Sequence, residues 1–189
     1  MPRTPHSIRI KSATAPRGFA PEAVESITAR IFKTGADYVN DPVPWEGDKG
    51  LQGTRFSAQF NCAVVLLHGR AGLADLFEDD KVRAYLAAPE VRRAMRLVQV
   101  VADADLDKSF PDQWSSCVEV RLKDGRSHQQ RVDYPLGEPE YPMSPAQLEE
   151  KFRRLTRLAG WQDDRASRVI ALVARLASQD DVRRLVAAL

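Results

Sequence analysis

Two polar residues, Arg55 and Ser57, stand at the start of a strongly apolar segment and are the first candidates for chemistry. A guanidinium group forms paired hydrogen bonds with carboxylates, and the free N–H groups at the start of a helix also favour negative charge. Arg55 and Ser57 could therefore bind the same anion. Residues in this position more often cap the helix, and the sequence leaves both interpretations open.

The other residues that could carry chemistry do not form a recognisable site. His6, His68 and His128 have no cysteine or carboxylate at metal-ligand spacing, so we expect no zinc site. The sequence has no nucleophilic-serine motif, phosphate-binding glycine loop or dinucleotide fingerprint, and we expect no cofactor. Three acidic pairs fall where helices should start, and the helix dipole explains them without catalysis. These pairs are Asp79-Asp80, Asp163-Asp164 and Asp180-Asp181.

The segment from Arg55 to Gly69 is predicted to be a buried helix. Phe56, Phe60, Ala63, Val64 and Leu67 recur at the three-and-four spacing of one helical face. Gly69 should end the helix, because a residue without Cβ can take a left-handed conformation. A helix that is apolar on most sides must be covered on most sides, so the rest of the domain should pack around it.

Composition points to a globular protein. The chain has 189 residues, 43% of them hydrophobic, and a net charge of +2 with basic and acidic residues interspersed. We therefore expect no nucleic-acid partner and no membrane association. Cys62 and Cys117 fall in a predicted helix and a predicted strand, which favours reduced core cysteines. Residues 1–17 lack the apolar stretch of a signal peptide, so the cytoplasm is the expected location.

Local patterns predict the remaining elements. Alternating apolar residues indicate a strand around residues 27–31, and residues 34–53 show no period and are predicted to form a long loop. Asp124-Gly125 fits the tight turn of a hairpin. Ser144 and Gln147 form a capping box for a helix that ends near residue 159. Further predictions are strands over 96–102, 117–122 and 127–132 and amphipathic helices over 165–177 and 180–189.

Together these elements predict an α+β fold. We expect a two-layer domain with a mainly antiparallel sheet of about four strands, helices packed on it, and a C-terminal helical tail. The predicted boundaries are a poorly ordered arm over residues 1–17, the α+β domain over 18–143 and the C-terminal helices over 144–189.

Several ordered motifs resemble the C-terminal part of the MmgE/PrpD family. A glycine-led turn with Pro21-Glu22 runs into the first strand, YVNDPVP at Tyr38–Pro44 follows, and Arg-Phe-Ser at residues 55–57 opens the apolar helix. Leu148 and Lys151-Phe152 continue the similarity into the C-terminal helices. Phe60 stands where many relatives place a tyrosine, which puts any role of a hydroxyl at that position in doubt.

The resemblance implies a lyase that acts on small tricarboxylic acids such as 2-methylcitrate or cis-aconitate. It implies that Tyr38 is catalytic, with a hydroxyl that donates to a substrate carboxylate or assists proton transfer. The alternative for Tyr38 is an amphipathic residue that covers the core while its hydroxyl meets water. Arg55 and Ser57 would bind the carboxylate substrate. In the family, most acid and base groups come from an N-terminal helical domain that this sequence does not contain.

Two hypotheses for function follow. The chain is either the lid portion of such a lyase, inactive without a separately encoded helical domain, or a non-catalytic remnant or interaction module. Apolar positions of the last two helices would lose cover without that domain, so we expect a homodimer that buries them. These positions are Val169, Leu172, Val173, Leu176, Val182, Leu185, Val186 and Leu189.

Overall fold

The computed structural model describes residues 18–44, 46 and 50–189 of the chain. The predicted arm, residues 1–17, lies outside the described residues. The chain divides into two compact units, Met1–Asp133 and Tyr134–Leu189. The first contains a sheet with helices and the second contains helices, so the predicted α+β class with C-terminal helices is confirmed.

Unit 1 is built on a four-stranded sheet of β1 (Val24–Ile31), β2 (Val98–Ala102), β3 (Ser116–Leu122) and β4 (Ser127–Val132). The strand order is β2-β1-β3-β4. β3 pairs antiparallel with both β1 and β4, as expected, whereas β2 pairs parallel with β1. The sheet is therefore mixed. Parallel neighbours need a long crossover to return the chain to the same end of the sheet, and residues 32–97 provide it.

The helices of unit 1 are α1 (Lys33–Val39), α2 (Gly50–Arg55), α3 (Ala58–Asp75), α4 (Asp79–Ala87), α5 (Pro89–Met95) and α6 (Ala104–Asp107). The loop predicted over residues 34–53 was wrong at both ends, where α1 and α2 lie. Helices this short show too little periodicity to be found by pattern, and contacts distant in sequence hold them. The backbone N–H of Lys33, for example, donates to Asp107 Oδ1 at 2.7 Å.

α3 is the buried centre of unit 1, as its apolar pattern predicts. Phe60, Ala63 and Val64 are fully buried and pack with side chains from β1, β2, β3, α4 and α5. Gly69 interrupts α3 with φ 70° and ψ −161°, so the predicted glycine stop is confirmed, and a second helical segment continues to Asp75. Phe56 departs from the prediction because it precedes α3 and is 48% exposed.

The β3–β4 hairpin and the second unit also follow their local signals. Gly125 has φ 88° in the turn that joins β3 to β4. Ser144 and Gln147 form the predicted capping box, with hydrogen bonds of 2.8 and 3.2 Å. Unit 2 contains α7 (Pro145–Leu158), α8 (Asp163–Ala174) and α9 (Arg183–Val186). The last helix, α9, is shorter than the predicted 180–189. The chain beyond it contacts α8, where Arg165 Nε donates to the Ala188 carbonyl at 3.2 Å.

No helix within the described ranges 18–44, 46 and 50–189 is both long and apolar enough to cross a bilayer.

Replacement of two phenylalanines four positions apart, one before α3 and one within it, tests the position of α3 in the core. Phe60→Ala leaves a cavity at a fully buried site and should lower the free energy of unfolding by about 3–5 kcal/mol. Phe56→Ala removes a half-exposed ring and should cost about 1 kcal/mol. Urea unfolding followed by circular dichroism measures both. Equal losses would contradict the placement of Phe56 outside the core.

Candidate functional site

Tyr38 lies in the last turn of α1, with its side chain 66% exposed. Its ring meets that of Phe56 edge-on, with the centroids 5.3 Å apart and the planes at 74°. Phe56 is the chain neighbour of both Arg55 and Ser57. The aromatic contact therefore brings Tyr38 beside the start of α3.

Ser57 is fully buried and both sides of its hydroxyl are engaged. Ser57 Oγ donates to the backbone carbonyl of Asp41 at 2.5 Å and accepts from the backbone N–H of Phe60 at 3.1 Å. The second bond caps α3, because Phe60 is the third residue of that helix. A hydroxyl has one proton to donate, and that of Ser57 is donated to the Asp41 carbonyl. Ser57 could therefore donate to a substrate only if its hydrogen bond to Asp41 broke.

Gln59 makes a second connection to the same segment. Its side chain is 4% exposed, and Nε2 donates to Asn40 Oδ1 at 2.6 Å. Gln59 Oε1 accepts from the backbone N–H of Asp41 at 3.2 Å. We call these four residues, Asn40, Asp41, Ser57 and Gln59, the clamp. The clamp ties the chain immediately after Tyr38 to the first turn of α3 and so limits where Tyr38 can lie.

Arg55 ends α2, with its side chain about one-third exposed at 31%. Nε donates to the Leu76 carbonyl at 3.2 Å, and Nη1 donates to Gln52 Oε1 at 2.8 Å. Nη2 stands 3.9 Å from Asp79 Oδ1. These contacts fix the guanidinium at the junction of α2, α3 and α4. A bound anion would have to compete with the carboxylate of Asp79 for Nη2.

Asn61, near the start of α3, holds the junction between α2 and α3. Its Nδ2 lies within hydrogen-bond distance of the carbonyls of Thr54, Arg55 and Ser57, at 3.3, 3.2 and 2.7 Å. These contacts satisfy carbonyl groups at the end of α2, which have no partner within that helix. Asn61 therefore fixes the backbone from which Arg55 projects.

The structure thus sets the predicted site residues in two environments. Tyr38 is mostly exposed and contacts the ring of Phe56, and Arg55, which precedes Phe56 in the chain, is about one-third exposed, whereas Ser57 is buried. The sequence patterns did not predict the supporting roles of Asn40, Gln59 and Asn61. A signal was present, because Gln59 and Asn61 interrupt an otherwise apolar helix and buried polar side chains need partners. The catalytic role of Tyr38 and the substrate-binding roles of Arg55 and Ser57 stay predictions.

Two further titratable groups of unit 1, Cys62 and Tyr85, have raised pKa values that burial explains. Burial raises the pKa of the Cys62 thiol to about 11, which keeps it protonated and unreactive at neutral pH. Desolvation, followed by the hydrogen bond that Tyr85 donates to Asp75 at 2.7 Å, raises the pKa of Tyr85 to about 12. Over the part of the chain that the structure describes, no group of three or more His, Cys, Asp or Glu residues could hold a metal ion.

The sequence matches the profile of the MmgE/PrpD C-terminal domain over residues 9–176. The chain belongs to the MmgE/PrpD family. The match begins before Gly18, where the motifs identified in the sequence start, and ends within the second unit.

A curated relative of this MmgE/PrpD domain is cis-aconitate decarboxylase from Homo sapiens. The two are 28% identical over 173 residues, which cover 90% of this chain and 33% of the human protein. The chain therefore spans about one-third of the length of the relative that it matches.

The clamp of this MmgE/PrpD domain makes a testable contribution to stability. Gln59→Leu would remove the donor to Asn40 Oδ1 and the side-chain acceptor of the Asp41 N–H, which also donates to the Val39 carbonyl at 3.0 Å. The free energy of unfolding should therefore fall by about 1–3 kcal/mol. The amide hydrogen of Asp41 should also exchange faster with solvent, which NMR can follow.

Gln52→Leu is the matched control for the clamp variant. Gln52 is exposed, so its replacement should change the free energy of unfolding by no more than about 0.5 kcal/mol. If Gln59→Leu left exchange at Asp41 unchanged, the clamp would not hold this segment.

Proposed function

We propose that this chain is the C-terminal, lid portion of an MmgE/PrpD lyase that acts on small tricarboxylic acids such as cis-aconitate or 2-methylcitrate. The observation that carries the proposal is the clamp, which holds the segment after Tyr38 against α3 while Tyr38 contacts Phe56, the residue next to Arg55. A tyrosine hydroxyl and a guanidinium are both donors that suit a carboxylate ligand.

In this proposal Arg55 and Tyr38 have different roles. Arg55 binds a carboxylate of the substrate, and displaces its own long contact to Asp79 to do so. Tyr38 donates a hydrogen bond to a carboxylate or assists proton transfer at the adjacent carbon. Ser57, whose hydroxyl is engaged by Asp41 and Phe60, supports the site by holding the chain in place. Direct contact of Ser57 with substrate would require its hydroxyl to leave the Asp41 carbonyl.

The chain by itself is proposed to bind without turnover. General acid–base catalysis needs a positioned acid and base, and Tyr38 and Arg55 supply at most one proton donor and one fixed positive charge. The remaining groups would come from the part of the enzyme outside this domain, in keeping with a chain that spans 33% of the human relative. The alternative, a non-catalytic remnant or interaction module, requires neither a carboxylate site nor such a partner.

Titration of the isolated chain with cis-aconitate, followed by NMR, separates these alternatives. We expect the signals of the Tyr38 ring and the Arg55 guanidinium to shift, with no loss of cis-aconitate on incubation. Arg55→Gln should weaken binding about tenfold or more, because a hydrogen bond to a charged group is worth about 1.5–3 kcal/mol.

Arg126→Gln is the control for loss of a positive charge, since Arg126 pairs with Asp124 in the hairpin turn. It should leave binding unchanged. Acetate at matched ionic strength controls for nonspecific anion effects. If no Tyr38 or Arg55 signal responds at the highest soluble cis-aconitate concentration, the lid proposal loses its site and the non-catalytic alternative is favoured. Consumption of cis-aconitate by the isolated chain would contradict the need for a partner.

We also propose that unit 2 mediates a homodimer. Exposed apolar side chains of unit 2 include Val173, Leu176, Val182, Val186 and Leu189, whereas Val169, which the sequence pattern assigns to the same surface, is buried. Exposed apolar side chains in such number favour a protein contact. A closed twofold contact buries the same surface on both copies.

Analytical ultracentrifugation tests this self-association. The unmodified chain should form a dimer whose population rises with concentration, and Val186→Glu should shift it towards monomer because a charge would be buried in the contact. Leu136→Glu, at another exposed apolar position of unit 2, should leave the dimer intact. A monomer at all concentrations would rule the dimer out.

A further inference from the structure

One edge of the sheet in unit 1 has no neighbouring strand among the residues that the structure describes. β4 is the last strand in the order β2-β1-β3-β4 and pairs with β3 alone. Its residues from Ser127 to Arg131 are exposed on both faces of the sheet. β4 is therefore the least covered strand of the sheet.

The hydrogen-bond pattern shows which backbone groups of β4 point outward. In an antiparallel pair, alternate residues direct both their N–H and their C=O at the partner strand. Leu122 of β3 does so, because its N–H donates to the Arg126 carbonyl at 2.8 Å and its carbonyl accepts from Gly125 at 2.9 Å. By the register of the pair, the β4 residues whose backbone groups face β3 are His128, Gln130 and Val132. Those whose backbone groups point away from the sheet are Ser127, Gln129 and Arg131.

β4 has few of the features that protect an edge strand from a further strand. Lysine, proline and bulges are common at sheet edges because they repel or block a new strand. β4 contains neither lysine nor proline, and it pairs with β3 without a register shift. The charge of Arg131 is paired with Asp133 at 2.6 Å. The outward carbonyl of Arg131 accepts from Gln130 Nε2 at 2.9 Å, and the other outward groups have no partner within the described part of the chain.

We propose that β4 pairs antiparallel with β4 of a second copy of this chain, so that the two sheets join into one continuous sheet. The twofold axis passes beside Gln129, which faces Gln129 of the second copy and exchanges both backbone hydrogen bonds with it. Ser127 pairs in the same way with Arg131 of the second copy. This register uses every outward backbone group of β4 once the Gln130 side chain releases the Arg131 carbonyl.

The side chains of β4 are compatible with self-pairing in this register. Arg131 lies opposite Ser127 of the second copy, and His128 lies opposite Gln130. Like charges directly opposite each other destabilise paired strands, and this register places none opposite another. A closed twofold contact also leaves no outward edge on β4.

The exposure of β4 favours a second copy over an unrelated peptide. When a peptide adds to a sheet edge, backbone hydrogen bonds supply affinity and pockets for alternate side chains supply specificity. Side chains exposed on both faces of β4 form no such pocket. Self-complementary pairing about Gln129 provides a specific register without one.

This contact is separate from the homodimer proposed for unit 2, and it does not rest on the proposed function. Stable interfaces bury about 1,200–2,000 Å², and a pair of six-residue strands buries much less. Strand pairing is therefore expected at higher protein concentration than the unit 2 contact. Val186→Glu, which should weaken the unit 2 contact, provides the background in which β4 is tested by itself.

Amide hydrogen exchange of the Val186→Glu chain, followed by NMR over a range of concentrations, tests the strand contact. The outward amides should exchange more slowly as concentration rises, by about tenfold when about nine-tenths of the chains are paired. These amides are those of Ser127, Gln129 and Arg131. The amides that bond to β3 should stay protected at every concentration and show that β4 is folded. Exchange of the Gln129 amide that does not depend on concentration would overturn the proposal.

Charge substitutions at Gln129 test the register. Gln129→Lys places two positive charges opposite each other at the twofold axis and should weaken pairing about fivefold or more. An equal mixture with the Gln129→Glu chain should pair more strongly than the Gln129→Lys chain by itself, because a lysine then faces a carboxylate. Gln99→Lys, the same exchange at an exposed position of the opposite edge strand β2, should have no effect. Unchanged pairing of the Gln129→Lys chain, or no gain on mixing, would contradict pairing about Gln129.

Discussion

Burial of α3 is the constraint on which the rest of unit 1 depends. Phe60, Ala63 and Val64 are fully buried, so the sheet on one side and α4 and α5 on the others must surround them. A helix buried in this way cannot leave the polar groups of its first turn to water. Those groups must find partners inside the protein, because an unpaired buried polar group costs roughly 1–3 kcal/mol.

The clamp provides these hydrogen-bond partners. Ser57 and Gln59 satisfy their hydrogen bonds with Asn40 and Asp41, and in doing so they attach the chain that leaves α1 to the first turn of α3. A structural need of the core thereby determines where Tyr38 lies. The exposed end of the short helix α1 is thus restrained by polar contacts made at the edge of the core.

The position of Arg55 also depends on contacts with buried elements. The carbonyls near Arg55 are held by Asn61, and its guanidinium is oriented by the carbonyl of Leu76 at the end of α3. The surrounding aromatic rings are left exposed although the core beneath them is closed.

The sequence by itself determined the elements whose signals are local. The apolar spacing of α3, the stop at Gly69, the Asp124-Gly125 hairpin and the capping box at Ser144 were all predictable, because each depends on residues within a few positions of one another. The MmgE/PrpD resemblance was likewise visible in short motifs. Tertiary structure decided the rest. α1 is held by Asp107, 74 positions from Lys33, and the parallel pairing of β2 depends on the whole crossover. The hydroxyl of Ser57, whose substrate-binding role stays a prediction, donates to the backbone carbonyl of Asp41. Local sequence could not reveal that contact, since it forms only when burial of α3 brings distant polar groups together and requires them to pair.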